Sequence, residues 1–234
     1  MRLRRMIVTL VMLVLIMFAL PAAHTSAAAI RLTDYWISKG VGDVWTYGYT
    51  QPPGVPDFTV AITLITEGVY QGKYRLGDIR NPDGSTSYII VFFDNNFFYL
   101  YYDKDVTFNP PAQIPITQEL EAMVPNPANP TNGFWYFKRL AQLTVPAGTF
   151  YDVVLKIDLD KSFPPNNAND FFGLPSSITY GVTHAEWSAR HVGTLQDMNF
   201  DANTGAPGET YVLKSTNAKP WGVTIQALNL LLLD

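Results

Sequence analysis

A mainly β chain, built as a single curved antiparallel sheet (a half-barrel) with little helix, is what three features of this 234-residue sequence predict. Short runs alternate apolar and polar residues with period two. Clusters of Gly, Pro, Asn and Asp separate those runs, and the one stretch that reads as helix, Thr117 to Met123, is short. The segment from Gly133 to Asp160 shows the pattern best. Tyr151, Val153, Leu155, Ile157 and Leu159 alternate with Asp152, Lys156, Asp158 and Asp160, the signature of a half-buried strand. Val145-Pro146-Ala147-Gly148 supplies the reversal before it, since proline presets φ and glycine accepts a positive one. Two long strands therefore meet in a hairpin, and the charged side of the second is expected to face solvent.

Taken in order, Asp34-Tyr35-Trp36-Ile37 precedes a turn-rich stretch, after which Val44 to Tyr49 forms a strand with Trp45, Tyr47 and Tyr49 on one face. Gln51 to Asp57 is a proline loop. Strands follow at Phe58 to Glu67, Lys73 to Ile79, Ser87 to Asp94 and Phe97 to Asp103, with Asn81-Pro82-Asp83-Gly84 as a turn among them. Together they make an antiparallel meander. From about 107 to 132 prolines interrupt the pattern, which predicts a crossover without core strands. Beyond the hairpin, Ser162 to Ser177 is a loop holding the adjacent Phe171 and Phe172, which either cap the core or form a lid over an apolar mouth. Ile178 to Val182 is expected as a short strand and Ala185 to Arg190 as a turn or single helical turn. His191 to Phe200, Glu209 to Ser215 and Trp221 to Leu233 complete the strands.

Residues 1–29 stand apart from the fold. Arg2, Arg4 and Arg5 precede an uncharged apolar run from Met6 to Leu20, and small residues continue to Ala29, as in a secretory signal peptide. The run is shorter than the ~20 residues of a membrane span, so no transmembrane segment is expected after cleavage. This places the protein outside the cytoplasm, in a bacterial periplasm or beyond it. Residues 30–234 are read as one β-rich domain. Without its leader the chain keeps 13 basic against 20 acidic residues, a net charge of −7, which disfavours nucleic acid as a partner. Cysteine is absent, which excludes disulfides and thiolate metal sites. Aromatic residues make up 14% and charged residues 15%, the latter low against ~25% in ordinary domains, so a large apolar surface is either buried or offered to a ligand.

No catalytic set emerges. His184-x-Glu186-x4-His191 matches no compact zinc motif, and Ser188 lacks both a nucleophile elbow and an evident third partner. Asp158, Asp160 and Asp170 invite comparison with a glycosidase acid pair, but the first two fall on the polar side of an amphipathic strand. No glycine-rich phosphate loop occurs, so no cofactor and no metal are expected. The aromatic strands are the remaining feature. Curved into a half-barrel, they create a concave apolar face, and Trp45, Tyr47, Trp135, Phe137, Phe171 and Phe172 are the expected ligand-binding residues.

Three blocks carry a resemblance: Gly40-x-x-x-x-Trp45-x-Tyr47, Val145-Pro146-Ala147-Gly148-Thr149-Phe150-x-Asp152-Val153, and Thr179-Tyr180 followed by Arg190-His191-Val192-Gly193. In these the chain resembles a group of exported bacterial β-rich proteins of unknown function, whose fold is similar to the lipoprotein-carrier (LolA-like) half-barrel. The resemblance implies a hydrophobic concavity and a lipid, acyl chain or lipoprotein as partner. The expected function is thus that of an exported, non-enzymatic protein binding an apolar ligand. A carbohydrate-binding or cell-surface interaction module is the alternative.

Overall fold

The computed structural model describes residues 29–35, 40–80, 84–103 and 106–218. The expected signal peptide lies outside the described residues except for Ala29, and so do the turn residues Asn81 to Asp83 and the final strand expected at Trp221 to Leu233.

Fourteen strands and two short helices occur among the described residues. The strands are β1 (Ala29–Arg31), β2 (Val44–Gln51), β3 (Phe58–Leu64), β4 (Tyr74–Arg80), β5 (Thr86–Phe93), β6 (Phe97–Asp103) and β7 (Val106–Pro115) in the first half. They continue as β8 (Thr117–Glu119), β9 (Met123–Pro125), β10 (Gly133–Val145), β11 (Gly148–Asp160), β12 (Gly181–Ala189), β13 (Gly193–Phe200) and β14 (Pro207–Thr216). Helices α1 (Leu32–Tyr35) and α2 (Asn167–Phe171) are one turn each. Twelve strands form one antiparallel sheet in the order β7-β6-β5-β4-β3-β2-β14-β13-β12-β11-β10-β9, while β1 and β8 pair separately. The sheet is open, with β7 and β9 at its edges. It curves, because Ile114 of β7 and Phe98 of β6 pack with Trp135 and Phe137 of β10, at the far end of the strand order.

The hairpin of β10 and β11 has the expected register, with Val145 opposite Gly148 and Gly133 opposite Asp160. Gly148 takes φ 136°, a conformation that a side chain would strain. Two other expectations are corrected. The stretch from 107 to 132 does carry the chain from one sheet edge to the other, but it is not strand-free and Thr117 to Met123 is not helical. Its first part is the ten-residue β7, tolerated despite Pro110, Pro111 and Pro115 because an edge strand needs only one hydrogen-bonded side. Ala185 to Arg190 is not a turn either. It belongs largely to β12, paired to β11 and β13 on both sides.

One end of the concave side is filled by the N-terminal segment. Ile30, Leu32 and Tyr35 pack with Ile114, Leu120, Trp135, Phe137 and Val154. Polar contacts fix this plug at its rim: the Leu32 amide donates to the Ile116 carbonyl at 2.8 Å, and the Tyr35 hydroxyl donates to Asp152 at 3.0 Å. Arg190 reaches Asp34 at 3.2 Å, and Arg139 holds Asp152 at 3.3 Å. Asp152 itself sits at φ 53° within β11, a left-handed conformation that a non-glycine residue adopts at a local cost.

The loop after β11 covers the opposite, convex face. Lys138, Leu155 and Trp187 are cross-strand neighbours, and Phe172 lies over them, with its ring 5.8 Å from Trp187 and 5.5 Å from Phe200. Lys138 donates to the Phe172 carbonyl at 2.8 Å. Asn166 anchors this loop. Its side-chain oxygen caps α2 at the Ala168 amide, and its side-chain nitrogen donates to the carbonyls of Val182 at 2.9 Å and Ala202 at 3.0 Å. Asn166→Ala removes a cap and strands two carbonyls, so an expected loss of about 2 kcal/mol follows, measurable by urea denaturation.

Candidate ligand-binding cavity

In the concavity of the sheet lies a cavity of about 540 Å³, which shares Ile114 and Trp135 with the cluster around the plug. Period-two alternation assigns its walls. On one side β2 to β6 contribute Trp45, Tyr47, Phe58, Val60, Val91 and Leu100. On the other side stand Lys156 and Asp158, which the pattern had assigned to solvent, with neighbours from β10, β12 and β13. Trp135, Asp158, His184 and Asn199 are aligned across β10 to β13, and Phe137, Lys156, Glu186 and Asp197 form the next row. Alternation correctly grouped Lys156 with Asp158, but the face they share is the concave one. The expectation of a solvent-facing charged row is therefore corrected at these two positions.

These groups form a closed network. His184 Nδ1 lies 2.5 Å from Asp158 Oδ2, and Nε2 lies 2.8 Å from Asp197 Oδ2. Lys156 Nζ lies 3.0 Å from Glu186 and 3.6 Å from Asp158, while the Thr194 hydroxyl donates to the other Glu186 oxygen at 2.5 Å. The network bridges β11, β12 and β13 inside the sheet, where burial would otherwise penalise each charge. Burial works against the imidazolium, yet Asp197 and Asp158 outweigh it and push the His184 pKa up to about 10. The same holds for Lys156, where burial is outweighed by Asp158 and Glu186 and the pKa rises. Asp158 is held below its ordinary value: burial opposes this, but Lys156, His184 and the Trp135 indole prevail. Burial, reinforced by Glu186 and Asp197, pushes the Tyr47 and Tyr211 hydroxyls well up, so both stay neutral donors.

Tyr47, Tyr49, Phe58 and Tyr211 form an aromatic cluster beside the network, with ring centroids 5.2–5.9 Å apart. Hydrogen bonds orient two of the wall residues. Trp45 Nε1 donates to the Val192 carbonyl at 2.7 Å, and the Tyr47 hydroxyl donates to the Thr194 carbonyl at 2.9 Å. Of the six residues expected to bind a ligand, Trp45, Tyr47 and Trp135 line the cavity. Phe137 is 0% exposed, packed in the plug with its ring 6.1 Å from Trp135. Phe172 lies on the convex face and Phe171 is 71% exposed beside it, so neither covers the concave mouth. Sequence reasoning missed His184, Glu186 and Asp197 as cavity residues. Their signal was the i, i+2 spacing of His184 and Glu186, which places both on one strand face.

No model of a known family matches the chain, and no curated protein matches it. Two solved structures are similar to it. One is an inferred lipoprotein from Parabacteroides distasonis ATCC 8503, with 14% identity, TM-score 0.43, and 79% of this chain covering 99% of that one. The other is an inferred exported protein with a YmcC-like fold from Bacteroides fragilis NCTC 9343, with 11% identity, TM-score 0.39 and the same coverage. Likeness of this degree assigns no function; the cavity has to carry that. Among the described residues, no helix is long and apolar enough to cross a membrane.

Proposed function

We propose that the protein is an exported, non-enzymatic binder of an amphipathic small molecule, a lipid or acyl-bearing compound, held in the concavity of its sheet. The carrying observation is the cavity itself. Its volume, about 540 Å³, lies within the ~300–1,000 Å³ of small-molecule sites, and it joins an apolar aromatic wall to a polar one. An apolar body lies along Val60, Val91 and Leu100, and a polar head reaches the groups on β11 to β13. The network serves binding better than catalysis, since both His184 nitrogens are held by carboxylates. Export rests on the leader-like residues 1–29. The carbohydrate alternative needs flat exposed rings, whereas Trp45, Trp135 and Trp187 are all buried.

Saturable fluorescence enhancement of N-phenyl-1-naphthylamine by the purified protein tests this reading. Leu76 and Ile89 line the cavity and are only half-buried. Leu76→Gln and Ile89→Gln are therefore expected to weaken the probe by about tenfold, consistent with the loss of roughly 1.4 kcal/mol of apolar contact. Phe171→Ser on the convex side leaves binding unchanged. Absence of saturable binding, or equal loss in all three variants, defeats the proposal.

A further inference from the structure

The outer side of β4 to β6 carries a feature that the cavity does not use. Ile89, Val91, Phe98 and Leu100 line the cavity, so by alternation Tyr88, Ile90 and Phe92 of β5 and Tyr99 of β6 point away from it. A bulge in β6 sets Tyr102 opposite Ile90 and adds it to this face. The rings are half-buried and lie against one another, Tyr88 stacked on Tyr102 at 4.7 Å and Phe92 beside Tyr99 at 6.0 Å. Two cations lie over them. Lys73 Nζ stands 4.3 Å from the centre of the Phe92 ring, and the Arg75 guanidinium 4.5 Å from that of Tyr88.

Neither cation has a carboxylate partner among the described residues, whereas Arg139, Lys156, Arg190 and Lys214 are each paired with one. Glu67 and Asp94, the acids of the adjoining turns, lie beyond the strand ends, and Asp94 is taken up by the amides of Asn96 and Phe97 and by the Tyr99 hydroxyl. The rings hold both cationic side chains over the sheet, which lowers the entropy that a partner has to remove. Tyr88 and Phe92 are four positions apart on β5, about 13 Å, so the two charges are spaced for successive groups of one ligand and do not surround a single small anion. None of these rings is among the exposed apolar side chains, and insertion into a bilayer would need such side chains. We propose that this face binds an acidic polysaccharide, with its anionic groups on Lys73 and Arg75, at a site separate from the cavity. Recognition is by charge, with the rings holding the cations in place.

Isothermal titration with a hexamer of galacturonic acid tests this, beside maltohexaose as the neutral chain and phosphatidylglycerol vesicles as an anionic surface. The expected result is binding of the acidic hexamer alone, weakened as sodium chloride is raised. Arg75→Gln and Lys73→Gln each lower its affinity severalfold, and the double variant lowers it by about tenfold. Arg75 is exposed, so Arg75→Gln and the charge-reversed Arg75→Glu are expected to melt as the wild type does, and Arg75→Glu abolishes binding. Ile89→Gln, on the concave face, leaves the hexamer unaffected, so the result stands or falls apart from the cavity reading. No binding of the hexamer, equal binding of maltohexaose, or indifference to the substitutions at Lys73 and Arg75 overturns the proposal. Vesicle binding in place of hexamer binding overturns it in favour of a membrane surface.

Discussion

His184→Ala is expected to destabilise the protein by about 3–5 kcal/mol and to lower its melting temperature by roughly 10 °C. The imidazole stands between Asp158 and Asp197, at 2.5 and 2.8 Å, and its side chain is only 22% exposed. Alanine leaves those two carboxylates, with Glu186 nearby, facing one another across a hole where Lys156 alone offsets them. The penalty is for the charges left behind, more than for the contact removed. Adding Asp197→Asn to His184→Ala removes one of the stranded charges and is expected to recover part of the loss. Denaturant melts of the wild type, both single variants and the double variant measure that coupling. A loss below 1 kcal/mol in His184→Ala, or simple additivity in the cycle, contradicts the network as described.

The second large effect is a fall in stability on the alkaline side of neutrality. Groups facing His184 are Lys156 and Asp158 from β11, Asp197 from β13, Trp135 from β10, and Glu186 on its own strand. The folded pKa of about 10 stands above the ~6.5 of a free histidine, so between these values the native state holds a proton that the unfolded chain has lost. Stability from this group is complete below pH ~6.5 and drains away as pH rises toward 10, by several kcal/mol in total. Lys156, raised in the same direction, extends the loss further upward. Asp158 works oppositely: its folded pKa is lowered, so its contribution is present above about pH 4 and is lost on acidification. Urea midpoints across pH 5 to 10 are expected to peak on the acid side of neutrality. In His184→Ala the alkaline slope flattens. A wild-type midpoint that stays level from pH 6.5 to 10 rules out a shared-proton clamp at this position.

What the sequence shows and what it hides divide along a physical line. Period two in Tyr151 to Asp160 gives the strand, its register with β10 and the grouping of side chains. It does not give the medium that each face meets. From Val153 onward both faces of β11 are covered, one by Phe172 and its loop, the other by the curved sheet, so polar residues alternating with apolar ones there mark two kinds of interior. The same ambiguity hid β12. His184 and Glu186 look like turn residues until Asp158, Lys156 and Asp197 are brought opposite them by strands 11 to 30 positions away in the chain. Of the aromatic residues, Trp45, Tyr47 and Trp135 were placed at the cavity by strand-face reasoning alone. Phe171 and Phe172 had only adjacency in a loop to recommend them, and a loop can fold over either side of a sheet.

The two edges on which the sheet ends among the described residues carry a consequence for how this protein coexists with its own kind. A strand with unpaired amides can recruit another chain, and a sheet that is not closed presents two of them. Here β9 offers only three residues, Met123–Pro125, and the ten-residue β7 contains Pro110, Pro111 and Pro115, which have no amide hydrogen to give. The prolines that look like breaks in the sequence thus finish the outer rows of the ladder. They let a concave sheet stay open while making it a poor template for fibre growth.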